Sequence, residues 1–111
     1  MKEYIIVSHE VATQHLGLAV CSIAHSALVA HDKWAFVDND FGLKYQEWFQ
    51  TSFKKVVCIV PDATLFQIAL AYPAHAKITE SALDNRLMAI VLHPAYTAHE
   101  HEYLKSLPLF Q

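Results

Sequence analysis

The stretch Tyr4–Ile5–Ile6–Val7–Ser8–His9–Glu10, followed by QHLGLAVCSIAHSALVAH from Gln14 to His31, places a strand directly before a long helix. Tyr4 to Val7 is short, apolar and rich in β-branched residues, the signature of a buried strand. Ser8, His9 and Glu10 lead out of it, and Thr13 is placed to cap the helix that follows. Leu16, Val20, Ile23, Ala27 and Ala30 recur at three- and four-residue spacing, while Leu18, Cys21, Ala24 and Leu28 cover much of the remaining circumference. His15, Ser22 and Ser26 form the one narrow polar stripe. A helix apolar on so many sides is expected to be well buried, and Gly17, Ala19, Ser22 and Ser26 are small enough for another backbone to come close.

Beyond this unit, periodicity fades from Asp32 to Ser52 and aromatic residues take over: Trp34, Phe36, Phe41, Tyr45, Trp48 and Phe49. Asp38–Asn39–Asp40–Phe41–Gly42 carries turn chemistry, and the aromatic side chains are expected to fold this long connection over one face of the core. Val56 to Val60, introduced by Lys54 and Lys55, is a second strand that Pro61 ends. Asp62 is placed as the N-cap of a helix carrying Leu65, Phe66, Ala69 and Leu70, which Pro73 stops. Lys77–Thr79 and Leu87–Leu92 supply two more strands, the latter cut off by Pro94. Thr97 is placed to cap a last helix through Tyr103 and Leu104, and Leu107–Pro108–Leu109–Phe110 is expected to pack back as a tail. Strands alternating with helices predict an α/β domain, with a long helical crossover favouring parallel pairing of its flanking strands.

The chain has 111 residues, 54% of them apolar and 17% charged. That excludes a disordered chain and, without repeats or linkers, points to one domain spanning residues 1–111 that buries about two-thirds of its unfolded surface. The net charge is −3 and no basic tail or dense arginine patch occurs, which argues against tRNA or other nucleic acid as a general partner. Eight histidines make the charge sensitive to pH near 6.5. The two cysteines, Cys21 and Cys58, read as free buried thiols. With neither a signal-peptide core nor a membrane-spanning run, the expected location is cytoplasmic.

Open α/β sheets place ligands beyond the carboxyl ends of their strands. Ser8, His9, Thr13 and His15 occupy that position after the first strand and are the candidate ligand-binding residues, suited to a small anionic or peptide-like ligand. Ser22 and His25 are the candidate catalytic pair; a serine nucleophile needs a base within reach, and no Gly-x-Ser-x-Gly elbow surrounds Ser22. His93, His99, Glu100, His101 and Glu102 lack metal-ligand spacing, so no metal site is expected. Neither a Walker loop nor a dinucleotide fingerprint occurs, and no cofactor is expected.

The first strand, the run Leu16–Gly17–Leu18–Ala19–Val20–Cys21–Ser22–Ile23–Ala24–His25–Ser26–Ala27, Lys54–Lys55–Val56–Val57 and the Leu87-to-Pro94 strand together resemble the type 2 peptidyl-tRNA hydrolase fold. Leu16–Gly17–Leu18–Ala19 and the ending Ser106–Leu107–Pro108–Leu109–Phe110 resemble, more closely, an uncharacterised domain-of-unknown-function branch of it. The resemblance implies a three-layer α/β/α sandwich around a four-stranded mixed sheet, with a homodimer as a partner arrangement. It also implies cofactor-independent cleavage of the peptide–tRNA ester in the hydrolase branch, by a lysine at the start of the first helix, a polar residue one turn later and a Ser/Ala-His-Ala region. Here Leu18 stands at the lysine position and Ser22 at the glutamine position. Ala24–His25–Ser26 matches, and the later Asp-Ala-Gly-x-Thr-Gln pattern is absent near Ala76 to Ser81. Leucine cannot bind a phosphate or stabilise a developing alkoxide, and removal of one such group costs about 3–4 kcal/mol in a catalytic site. The expected function is therefore a binding domain in which ordinary peptidyl-tRNA hydrolysis is absent or weak. The alternatives are a cofactor-independent hydrolase, residual peptidyl-tRNA hydrolase activity included, and a structural dimerisation module.

Overall fold

A computed structural model describes residues 1–111, and its opening strand β1 (Glu3–Ser8) is buried along its whole length. β1 pairs in parallel with β2 (Lys55–Val60) on one side and antiparallel with β4 (Arg86–Leu92) on the other. An antiparallel strand, β3 (His75–Glu80), borders β4, so the four-stranded sheet is mixed, in the order β2-β1-β4-β3. The expected parallel pairing across the first crossover is present. Alternation along the strands divides the interior into two cores: Ile5, Val7, Ala89 and Val91 join one, and Tyr4, Ile6, Ile90 and Leu92 the other. A bulge interrupts the alternation where Ile78 pairs with Ala89 but Thr79 with Leu87. The extra residue, Met88, joins the same core as Ala89, as one inserted residue in a period of two requires.

The crossover contains more helix than expected. α1 (His9–Gln14) starts where β1 ends, capped by the Ser8 hydroxyl, which accepts the Val11 N–H at 3.1 Å. Thr13 is therefore an exposed residue inside a helix rather than the cap of one. His15, at φ −142° and ψ 64°, breaks the helix, and α2 (Leu16–Trp34) follows. The aromatic connection holds α3 (Asp40–Gln50), whose cap is Asn39: its side-chain oxygen accepts the Gly42 N–H at 3.0 Å. Tyr45 and Trp48 from this connection, with Trp34 at the end of α2, are buried in the first core. Phe36, Phe41 and Phe49 are 81%, 48% and 39% exposed, so the expected aromatic cover forms only in part.

α2 is buried differently from expectation. Its small residues Ala19, Ser22, Ser26 and Ala30 face the sheet, whereas Leu16, Val20 and Leu28 are 58%, 53% and 69% exposed. Small side chains let the helix lie close across the sheet. The two serines lose their polarity on that face by donating to main-chain carbonyls one turn back, Ser22 to Ala19 at 2.6 Å and Ser26 to Ser22 at 2.7 Å.

On the other face lie α4 (Asp62–Ala71) and α5 (Glu102–Lys105), with Leu65, Ile68 and Leu104 in the second core. Pro61, not Asp62, occupies the cap position of α4. Likewise His101, not Thr97, caps α5; Thr97 ends a 3₁₀ turn, Pro94–Thr97. The tail packs back as expected: the Ile59 N–H donates to Pro108 and the Phe110 N–H to Val57, both at 2.9 Å, which covers the free edge of β2. Both thiols are free, but only Cys58 is buried; Cys21 is exposed. No helix is long and apolar enough to cross a membrane.

Candidate functional site

At the carboxyl end of β1 the structure separates the four expected ligand-binding residues. His9 and Thr13 line an open hollow of about 370 Å³ with Leu16, Ile59 and the tail residues Leu109 and Phe110. Ser8 is fully buried and lies outside it: its hydroxyl donates to Asp62 Oδ1 at 2.5 Å, and Arg86 Nη2 donates to Asp62 Oδ2 at 2.9 Å. His15 is exposed and does not line the hollow. Burial alone would raise the Asp62 carboxyl, but the hydrogen bonds from Ser8 and Arg86 and the guanidinium charge outweigh it and hold it below its ordinary value. Glu10 completes the arrangement by accepting the Asp62 N–H at 2.9 Å. The Ser8 hydroxyl and the Asp62 N–H are thus spent on the chain's own carboxylates; Arg86 offsets the Asp62 charge, and the Glu10 carboxylate opposes an incoming anion.

Ser22 and His25 are not brought together as nucleophile and base. Ser22 is buried, with its hydroxyl given to the Ala19 carbonyl, while His25 is exposed on α2 and makes no hydrogen bond to it. Leu18, at the position where the resembled hydrolases carry a lysine, packs partly buried against the first core.

A different site lies at the opposite end of β1, and reading the sequence did not single it out. A cavity of about 290 Å³ opens between the carboxyl half of α2, α3 and the start of β2. Leu28 and His31 form one wall; Tyr45, Trp48 and Phe49 form the second; Phe53 and Lys55 form the third; Glu3 lies beneath them. The aromatic walls are mutually packed: Tyr45 and Trp48 have ring centroids 5.3 Å apart, Phe49 and Phe53 5.2 Å, and His31 and Phe49 5.0 Å. Trp48 is further fixed by its indole N–H, which donates to the Lys54 carbonyl at 2.9 Å. Phe53 sits at φ 53°, in the left-handed region that disfavours a residue with a side chain. Its N–H donates to Trp48 at 2.7 Å, which holds the turn in that shape. Backbone strain of this kind gathers at binding and active sites.

Glu3 gives the cavity its chemistry. The side chain is fully buried and neither carboxyl oxygen has a hydrogen-bond partner. Its strand neighbour Lys55 does not pair with it; the Lys55 ammonium lies 3.2 Å from the centroid of the Phe53 ring, with the Phe53 carbonyl 3.4 Å away. Burial pushes the Glu3 carboxyl up to about 7, against the smaller opposing pull of Lys55. Burial, reinforced by the Glu3 charge, also pushes the Tyr45 phenol up. A carboxyl poised near neutrality in an aromatic cavity can exchange a proton or accept donors from a guest. An isolated buried polar group without a partner is otherwise costly to keep.

The signal for this site was faint in the chain. Glu3 reads as a polar residue before an apolar strand and Lys55 as a charge flanking another. Only the parallel register, Glu3 beside Lys55, joins them. No three His, Cys, Asp or Glu side chains converge as metal ligands do. No protein-family model and no curated protein matches the chain.

Proposed function

We propose that this protein is a small-ligand binding module on a type 2 peptidyl-tRNA hydrolase-like, three-layer α/β/α scaffold, and that its ligand site is the aromatic cavity over Glu3. The observation that carries the reading is the fully buried Glu3 carboxyl, unpartnered at both oxygens, under walls of packed aromatic rings. Mostly apolar cavities with a few convergent polar groups are the usual form of small-molecule sites. The two cores on opposite faces of a mixed sheet support the scaffold assignment. A small-molecule site here replaces the anion site expected at the far end of β1, where Glu10 and Asp62 already take the local donors.

The same reading holds ordinary peptidyl-tRNA hydrolysis to be absent or weak. In its support, Leu18 offers no ammonium, Ser22 has its hydroxyl committed to Ala19, and His25 stands exposed without Ser22 as a partner. Turnover of peptidyl-tRNA should stay at background; robust turnover that falls on His25→Ala would overturn this part.

The ligand site is tested by amide NMR shifts on adding small aromatic and aliphatic fragments to the labelled protein. Shifts gathered at Leu28, His31, Phe49 and Phe53 are expected. Shifts confined to His9, Thr13 and Leu16, or none with any fragment, would contradict the assignment.

A further inference from the structure

Resting on the reading of this cavity as a ligand site, we infer that the cavity over Glu3 takes a small organic ammonium with an apolar body, its N–H groups donating to the unpartnered Glu3 carboxylate. Three features of the cavity select this chemistry. First, a buried carboxylate acceptor with no donor of its own is satisfied by a guest that brings donors and positive charge; hydrogen bonds of that kind are among the strongest available. Second, the walls are aromatic faces, which attract cations through their quadrupoles. Lys55 already demonstrates this within the chain, its ammonium held 3.2 Å from the Phe53 centroid and 5.3 Å from that of Trp48. Because that charge opposes a second cation on the same faces, the guest's seat is the Tyr45 and Phe49 rings beside the Glu3 carboxylate. Third, the remaining lining is apolar enough to bury the guest's hydrocarbon body.

The alternatives fit less well. An anion would meet the Glu3 charge, and an apolar guest would leave both carboxyl oxygens unpaired. A quaternary ammonium carries no N–H for them, and a metal ion would find no second and third ligand. Binding then couples to the protonation of Glu3: the ammonium pairs with the carboxylate and displaces the proton held there at low pH. The other titratable groups lining the cavity are Lys55 from β2, Tyr45 from α3 and His31 from α2. Protonated His31 would oppose a cation in the same sense as protonated Glu3, so the two must be separated by substitution.

Benzylamine and its near-isostere benzyl alcohol are the probes, with dissociation constants read from amide shifts at Leu28, Phe49 and Phe53. Benzylamine should bind about 10- to 100-fold more tightly than benzyl alcohol. That margin should widen from about pH 6 to about pH 8, while the amine itself stays charged. Glu3→Gln, which leaves His31 in place, should abolish both the margin and its pH dependence while benzyl alcohol binding persists. If that variant fails to fold, the pH dependence of the margin in His31→Gln, which removes the competing imidazole, decides: widening supports the inference and a flat margin overturns it. Equal binding of the two probes at this cavity would overturn the ammonium inference and leave the ligand site standing. No shift from either probe would overturn the inference and count against the ligand site itself.

Discussion

Glu3 and Lys55 stand side by side on adjacent parallel strands, yet the Lys55 ammonium rests on the face of Phe53 and the Glu3 carboxyl has no partner. Opposite charges so placed would ordinarily form an ion pair. Here the cation has an aromatic seat and a nearby carbonyl, whereas the buried carboxyl lies at the floor of the cavity between α2 and α3. The chain therefore carries an acceptor it does not satisfy, and the functional reading depends on that.

Leaving Glu3 unpaired has a thermodynamic consequence. Its folded-state pKa, near 7, exceeds the ordinary 4.5, so the folded chain holds the proton more tightly than the unfolded one. The stability this lends is fully present below about pH 4.5 and is lost as pH rises through about 7. Glu3→Gln should therefore gain on the unaltered protein across that window, by on the order of 3 kcal/mol in total, as measured by urea unfolding at several pH values. A constant difference would contradict the account. His93 works in the opposite sense: burial holds its imidazole below the ordinary 6.5, partly countered by its bond to the Phe41 carbonyl. Stability from His93 is thus lost as pH falls below about 6.5, and comparing variant with parent at each pH cancels it.

The two glycines should respond oppositely to the same change. A Cβ on Gly42 would lie 1.8 Å from the Val37 carbonyl oxygen, where α3 begins under the Asn39 cap, so backbone must move. Gly42→Ala should cost about 1–3 kcal/mol. Gly17 has nothing within 4 Å of the same position, and in an exposed helical turn Gly17→Ala should gain about 0.5–1 kcal/mol. Thermal unfolding of both variants checks the pair.

Asp62 ties together the ends of three elements through Ser8 and Arg86. Asp62→Asn should destabilise by about 1–3 kcal/mol, because Ser8 is buried and each bond ends on a charged acceptor. The folded carboxyl lies below its ordinary 3.8, so the charged form's contribution is present above that pH and fades as acid is added. Combining the change with Ser8→Ala should cost less than the sum of the two single changes. Strict additivity in denaturant titrations would show that the two side chains act independently.

How much of this was legible in the chain follows from the kind of signal each part carries. Val56–Val60 and Leu87–Leu92 announce themselves as apolar runs ended by prolines, and the tail by its apolar ending. α3 showed in the chain only as unplaced short secondary structure around Tyr45 to Phe49, because charged and amide residues separate Phe41, Tyr45 and Trp48, although that spacing of four and three is helical. Ser8 rather than Thr13 caps the first helix because the chain turns helical immediately on leaving the sheet. On α2 the residue sizes mattered more than their polarity: the serines went inward because they are small, and Leu16, Val20 and Leu28 went outward. The cavity was illegible for a stricter reason. Its acid, its lysine and its rings come from four separate segments, and nothing local to any one of them states that they meet.

The most direct test of the site is a carbon-13 NMR titration of the Glu3 side-chain carboxyl in the ligand-free protein. The account predicts a midpoint near 7, with the Phe49 and Phe53 ring signals shifting in step as the charge develops below them. A midpoint at the ordinary 4.5 would mean that water or Lys55 already satisfies the carboxyl, and the cavity would then have no acceptor to offer a guest.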